Sequence, residues 1–390
     1  MSDHVALGLQ RAGHQVYFLG MQSIHAPYKD ENGIINLGIR YSPFGEDILG
    51  DYLRIYQIDV YISIMDIWLQ QAQYMGPLTK QMNIPWVAHI TANSYPLSPF
   101  LATPCTYATL LVAPSKFVER TLREFFPNNV FRIPHGVDTN VFKPLPKKEK
   151  EKMREQLRIS DKEFVVLSVM RNKGYQKNFP ALLHAWKILL ERYEELWKKG
   201  VLLLLTDPTE PEGMRLDMLR ERTGLNDVVR FIWLRPSDGT IEPTFEGDPR
   251  GMPHTANLNF PPEVMAKIYN VADVHAIASS GESFNLPSLE SLACGVPIIM
   301  PDNTTGPELA GESKAGLLAR IGLEYTTPLI SDVFHVDPRS LAECLEKFYL
   351  SKELRKRCSR RGVEFAKRYD WKRIIPMWVD LVEVAKYVQS

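Results

Sequence analysis

The stretch Ser280-Gly281-Glu282-Ser283-Phe284-Asn285-Leu286-Pro287-Ser288-Leu289-Glu290 gathers residue types able to hold a phosphate and the hydroxyls beside it. It follows an apolar run that reads as a strand, and it opens a helix. Pro287 suits the first helical turn, where its missing N–H loses nothing, and Gly295 suits the left-handed position after the helix end. The N–H groups of Ser283, Phe284, Asn285 and Leu286 then lie at a helix N-terminus, whose dipole favours a diphosphate. Glu282 and Glu290 would repel that phosphate but accept hydrogen bonds from hydroxyls. One reading sets one of them on a sugar ring and the other on a ribose, with the diphosphate between them. The other makes both of them capping or surface glutamates.

A second cluster, residues 168–178, stands at the C-terminal end of another strand candidate and precedes a helix, the place where open α/β sheets bind ligands. Arg171 and Lys177 within it can neutralise a leaving diphosphate, the charge that grows as a sugar–phosphate bond breaks. Taken alone they are equally well two solvated loop cations. Asp66 and Trp68, at the end of a strand candidate, are candidates to line a cleft. His135 beside Gly136 reads as part of a hinge or as a ligand contact, and His14 as a turn or packing residue.

Such groups meet only if strand ends are brought together. Short runs rich in Val, Ile, Leu and Tyr alternate with segments of helical period, the pattern of parallel strands joined by crossover helices, so the fold class is α/β. The strand candidates are residues 16–19, 60–64, 86–89, 109–113 and 130–133, then 165–169, 201–205, 229–232, 274–278, 297–300 and 316–318. Between the two sets, the prolines and lysines of residues 142–148 break the rhythm and read as an interdomain linker. Residues 236–262 are rich in Pro, Gly, Asp and Asn and too long for a plain connection, which suggests a functional or variable loop. Residues 371–388 carry Trp371, Ile374, Ile375, Trp378, Leu381, Val382 and Ala385 at helical spacing. Residues 352–373 hold ten Lys or Arg against three acidic residues. They read as a solvated helix face, or as a surface drawn to an anionic membrane or a phosphorylated acceptor at up to about 1 kcal/mol per basic residue.

A chain of 390 residues has room for two domains, and 45% hydrophobic with 24% charged residues is ordinary for a folded protein. Lys and Arg number 46, as do Asp and Glu, so the overall charge gives no sign of a nucleic-acid binder. The four cysteines form no C-x-x-C pair or zinc-ligand rhythm and read as packing thiols. No apolar run approaches the roughly 20 residues of a spanning helix. Residues 1–4 lack a signal peptide's features, so the expected place is the cytoplasm, with membrane association through residues 352–373 as an option.

In this order, each at a strand end, the two clusters resemble glycosyltransferase family 4. Glu282 and Glu290 match its Glu-x7-Glu element; Arg171 and Lys177 match its diphosphate-binding pair. Further matches are Ala12-Gly13-His14-Gln15-Val16, Pro134-His135-Gly136-Val137-Asp138, Ala272-Asp273-Val274 and Gly306-Pro307-Glu308, so the resemblance covers nearly the whole chain. Where the family often reads Glu-Gly-Phe-Gly-Leu, this chain has Glu282-Ser283-Phe284-Asn285-Leu286. Asn285 tolerates the left-handed region, whereas Ser283 is a poorer substitute for glycine. His89 falls two places before the family's cleft histidine and reads equally as a cleft or a core residue, and Thr91 lies nearer the usual position.

The resemblance implies a GT-B fold, two Rossmann-like domains with parallel sheets facing across a cleft. Residues 1–144 would form the acceptor-side domain, residues 145–370 the donor-nucleotide domain, and residues 371–390 a helix packing back toward the first. It also implies retaining, hexosyltransferase-type transfer from a nucleoside diphosphate sugar to a hydroxyl acceptor, saccharide or lipid-linked. Arg171, Lys177 and Glu282 would act at the reaction, while Ser283, Phe284, Asn285, Leu286 and Glu290 bind the donor. Base contacts would go to backbone near residues 232–234. No Asp-x-Asp motif occurs, so protein cations take a metal's part and no metal or cofactor is expected. The alternatives are a non-catalytic sugar-nucleotide-binding relative and an epimerase or phosphorylase on the same fold. A nicotinamide dehydrogenase is set aside because no G-x-G-x-x-G follows a strand candidate. Relatives place a strand and a Gly-rich loop before the helix that residues 1–12 suggest. The expectation is that both are missing here, leaving a central strand position unfilled and the first domain poorly stable.

Overall fold

The computed structural model describes residues 1–21, 23–66, 75–234, 241–244 and 260–388. The chain folds as two units. One comprises Met1–Gly136, Thr327–Ser331 and Tyr369–Ser390; the other comprises Val137–Thr326 and Asp332–Arg368.

In the first unit, β1 (Tyr17–Leu19), β2 (Tyr28–Lys29) and β3 (Ile35–Leu37) form a small sheet of order β1-β3-β2. A separate, wholly parallel sheet runs β4 (Tyr61–Asp66), β5 (Trp86–Thr91), β6 (Leu110–Ala113) and β7 (Val130–Arg132), in that order. β5 and β6 are almost entirely buried, as apolar strands covered on both faces must be. Residues 1–10 form no strand: Ser2–Arg11 is a helix. Its Val5 and Leu9 join Ile374, Trp378 and Leu381 of the Trp371–Tyr387 helix in one buried cluster. Gly8 permits this approach, since a Cβ there would lie 2.5 Å from Ile375.

The second unit is built on β8 (Phe164–Val169), β9 (Gly200–Leu205), β10 (Val229–Leu234), β11 (Ile241–Thr244), β12 (Val274–Ala276), β13 (Ile298–Pro301) and β14 (Gly316–Ala319). The sheet order is β11-β10-β9-β8-β12-β13-β14, parallel except where β11 runs against β10. Successive strands move outward on one side from β8 to β10, and the chain then returns to β8's other flank with β12. That reversal opens a crevice beyond the C-terminal ends of β8 and β12. A hairpin of β15 (Ile321–Thr326) and β16 (Asp332–Val336) follows.

Each of the eleven strand candidates is present to within two residues at either end. The five that escaped notice are short or exposed: β2 and β3 have two and three residues, β11 lies among turn residues, and β15, paired with β16, shows solvent a mixed face. Residues 142–148, read above as an interdomain linker, lie within the second unit and are anchored there. Phe142 is buried against the Tyr269 ring, and the Leu145 N–H donates to Asn270 (2.9 Å). The basic stretch is likewise not uniformly solvated. Arg355, in the Lys352–Ala366 helix, folds inward over Phe164 to reach Asp273 (3.5 Å). Among the described residues no helix is long and apolar enough to cross a membrane.

Candidate functional site

The loops after β8 and β12 are stitched together at the crevice. The Ser280 N–H donates to the Gln176 carbonyl (2.7 Å), and the Lys177 ammonium donates to Glu282 (2.6 Å). Side chains of Lys177 and Glu282 are only 16% and 14% exposed, so each depends on the other for its charge partner. A third loop, after β13, supports the same turn: Asn303 donates to the Ser280 carbonyl (3.1 Å), and Thr304 Oγ1 accepts the Glu282 N–H (3.1 Å). His335 of β16 closes the back, with Nδ1 3.2 Å from Ser280 Oγ. β8 and β12 are joined below by the buried His275, whose Nε2 accepts the Val169 N–H (3.3 Å). Burial lowers that imidazole's pKa to about 3, which keeps the accepting nitrogen unprotonated.

The helix expected after Asn285 is Leu286–Ala293, with Pro287 in its first turn. Asn285 takes the left-handed conformation (φ 77°) expected of an asparagine standing where the family has glycine, and its Oδ1 accepts the Ser288 N–H (2.9 Å). Phe284 is buried beneath the turn, Ser283 and Leu286 are half-buried, and Gly295 closes the far end at φ 73°. One helical face further on, Glu290 accepts a hydrogen bond from the Tyr269 hydroxyl (2.8 Å). Burial pushes the Glu290 carboxyl up to about 7, with the Tyr269 hydrogen bond pulling the other way. Arg171, at the end of β8, is held by Glu210 (3.0 Å) and Glu212 (3.4 Å), and the Glu210 hydrogen bond raises its pKa further.

Sequence reasoning thus found both loops and the four charged residues, and the structure joins Lys177 to Glu282. It missed Tyr269, Asn303, Thr304, His335, Glu210 and Glu212. Their one visible signal was position: Asn303 and Thr304 follow β13, Glu210 and Glu212 lie between β9 and the next helix, Tyr269 is on the helix before β12, and His335 is on the separate β15–β16 hairpin.

The first unit contributes less than expected. Asp66 and Thr91 are register partners at the ends of β4 and β5, joined by a 2.6 Å hydrogen bond. His89, open above between cleft and core, lies in the core: it is fully buried, its ring against Trp378 (6.1 Å) and edge-on to His135 (5.2 Å). Both faces of β5 are covered, so a side chain two residues short of its end is enclosed. His135 is packed with it, and burial holds both imidazoles below the usual range. Trp68, most of residues 236–262, and the Trp233 and Leu234 side chains lie outside the described residues.

The sheet order defines a doubly wound α/β unit, with charged loops at the switch point where such sheets bind ligands. Comparison with known proteins agrees. A model of Glycosyl transferases group 1 matches residues 246–331. D-inositol 3-phosphate glycosyltransferase of Corynebacterium jeikeium (strain K411) is 26% identical over 246 residues, 61% of this chain and 48% of that protein. The chain spans about half the length of the curated relatives it matches. Among solved structures, sucrose-phosphate synthase from Thermosynechococcus elongatus superposes with a TM-score of 0.72 at 18% identity, covering 97% of this chain and 91% of that one. Anabaena Alr3699/HepE, in complex with UDP and glucose, gives a TM-score of 0.68 at 15% identity, covering 98% and 95%. The fold is GT-B, and the resemblance to glycosyltransferase family 4 is borne out.

Proposed function

We propose that the chain transfers a sugar from a nucleoside diphosphate sugar to a hydroxyl acceptor with retention of anomeric configuration. The observation that carries this reading is the 2.6 Å contact of Lys177 with Glu282 at the switch point, a phosphate-binding cation beside a hydroxyl-binding carboxylate. Paired with Lys177, Glu282 repels an adjacent diphosphate less and keeps lone pairs for the hydroxyls of the donor sugar. Lys177, Arg171 and the N–H groups of residues 283–286 stabilise charge on the departing diphosphate. Glu290, held by Tyr269, takes the ribose hydroxyls. Protein cations supply the neutralisation, so a divalent metal or cofactor is dispensable.

The UDP and glucose of the HepE structure make UDP-sugars the first donors to try. The exposed arginines of the Lys352–Ala366 helix suit an acceptor presented at an anionic surface. Isothermal titration with UDP-, GDP- and ADP-sugars should find one donor that binds, and transfer to an alcohol acceptor should continue in EDTA with the donor's anomeric configuration kept. Binding without turnover would make the chain a non-catalytic binder; inversion would contradict retention, and activity lost in EDTA and restored by magnesium would contradict the charge assignment.

A further inference from the structure

Arg171 has a more exposed side chain (57%) than Lys177, yet two carboxylates hold it. Glu210 and Glu212 stand on the loop that follows β9, and this loop is fixed by the residue next to Arg171 in the chain. Asn172, 1% exposed, donates from Nδ2 to the carbonyls of Asp207 (3.0 Å) and Met214 (2.7 Å), and its Oδ1 accepts the Met214 N–H (2.9 Å). The Asp207 carboxylate turns the chain by accepting from Thr209 N–H (2.7 Å) and Oγ1 (2.9 Å). Gly213 packs so tightly on Asn172 that a Cβ there would lie 2.4 Å from its side chain. A loop anchored at both ends keeps its two carboxylates beside the guanidinium at little entropic cost.

The donor reading, on which this inference rests, requires the same guanidinium for the diphosphate. Two carboxylates and a diphosphate around one cation repel one another, so they cannot all be held equally well. We propose that Glu210 and Glu212 are positioning residues that compete with the nucleoside diphosphate for Arg171, and thereby set how tightly the diphosphate product is held and how fast it leaves. Release of product limits many transferring enzymes, and a rigid competitor for one phosphate contact speeds it without touching the sugar.

The test measures affinity for UDP, GDP or ADP, whichever binds the native chain, and for its unphosphorylated nucleoside. The variants are Glu210→Gln/Glu212→Gln, the same pair in an Arg171→Ala background, and Arg171→Ala alone. The double variant should bind the diphosphate roughly three- to tenfold more tightly, the scale of one or two exposed ion pairs, with nucleoside affinity unchanged. Product inhibition should strengthen and kcat fall with it. In the Arg171→Ala background the gain should vanish. Unchanged or weaker diphosphate binding in a folded double variant overturns the proposal, as does an equal gain without Arg171, which would reduce the effect to bulk charge. If the native chain binds no nucleoside diphosphate, the donor reading and this inference fall together; if it binds and the variants do not differ, this inference alone falls.

Discussion

Both units end their parallel strands in residues of chemical character, and they use them in opposite ways. In the second unit the charged groups lie beyond the strand ends, in loops after β8 and β12 where Lys177 meets Glu282. In the first, register pairs Asp66 with Thr91 at the ends of β4 and β5, and His89 lies two residues deeper, opposite Ile64. Two residues of strand are about 6.6 Å, enough to separate a group at the rim from one in the core. Histidine at that depth is held neutral among Trp378 and His135. Depth along the strand, rather than residue type, decides which of these groups is available for chemistry.

The largest expected effect lies on the chemical side of that contrast. Lys177→Ala and Arg171→Ala should each lower turnover by roughly 10- to 1,000-fold, as for other lost electrostatic contacts to a leaving group. Lys177 should be the more damaging loss, because its pair with Glu282 is enclosed and that of Arg171 is exposed. Equal, near-native turnover in both variants would dissolve the comparison.

On the structural side, the effect is on stability. Folded His89 titrates at about 4 against 6.5 for the free side chain, so the unfolded chain takes up the proton first. Its contribution is complete above pH 6.5 and is lost as the pH falls toward 4, by up to about 3 kcal/mol for this residue, with His135 adding in the same direction. Urea denaturation at pH 7.5 and 4.5 should show His89→Leu losing less stability on acidification than the native chain. Identical losses would assign the acid sensitivity elsewhere.

The strands were legible because the buried parallel strands are mostly apolar, as in the all-buried β8 and β9, where Ser168 is the one polar side chain. Glu282 and Glu290 were legible because their spacing straddles a helix start with its own punctuation, Pro287 and Gly295. His89 was ambiguous because register, which sets its depth, depends on partner strands that local sequence does not specify. Glu210 and Glu212 were invisible for a similar reason: they come to Arg171 through Asn172, some forty residues earlier, and nothing in the loop itself announces the contact. Tyr269 sits in the Pro262–Asn270 helix, and nothing in that helix's sequence points to the hydrogen bond its hydroxyl makes with Glu290.

That hydroxyl supplies the smallest and sharpest test, because it probes a buried group that belongs to the site rather than to the core. If Glu290 takes the ribose hydroxyls as proposed, it does so as a carboxylate, so nucleotide affinity should rise as the pH climbs through about 7 and weaken below it. The Tyr269 hydrogen bond favours the ionised form, and Tyr269→Phe removes it while keeping the ring that packs on Phe142 and His275. The midpoint of the affinity–pH curve should then move upward. Affinity for the nucleoside diphosphate at pH 7 should fall by about fivefold, the equivalent of one net hydrogen bond of ~1 kcal/mol. Glu290→Gln should remove the step near pH 7, leaving only the pH dependence of the ligand's own phosphate, which titrates at about 6. A Tyr269→Phe curve that overlays the native one would mean that the phenol only fills space, and Glu290 would then behave like the buried histidines of the first unit, a polar group kept for packing.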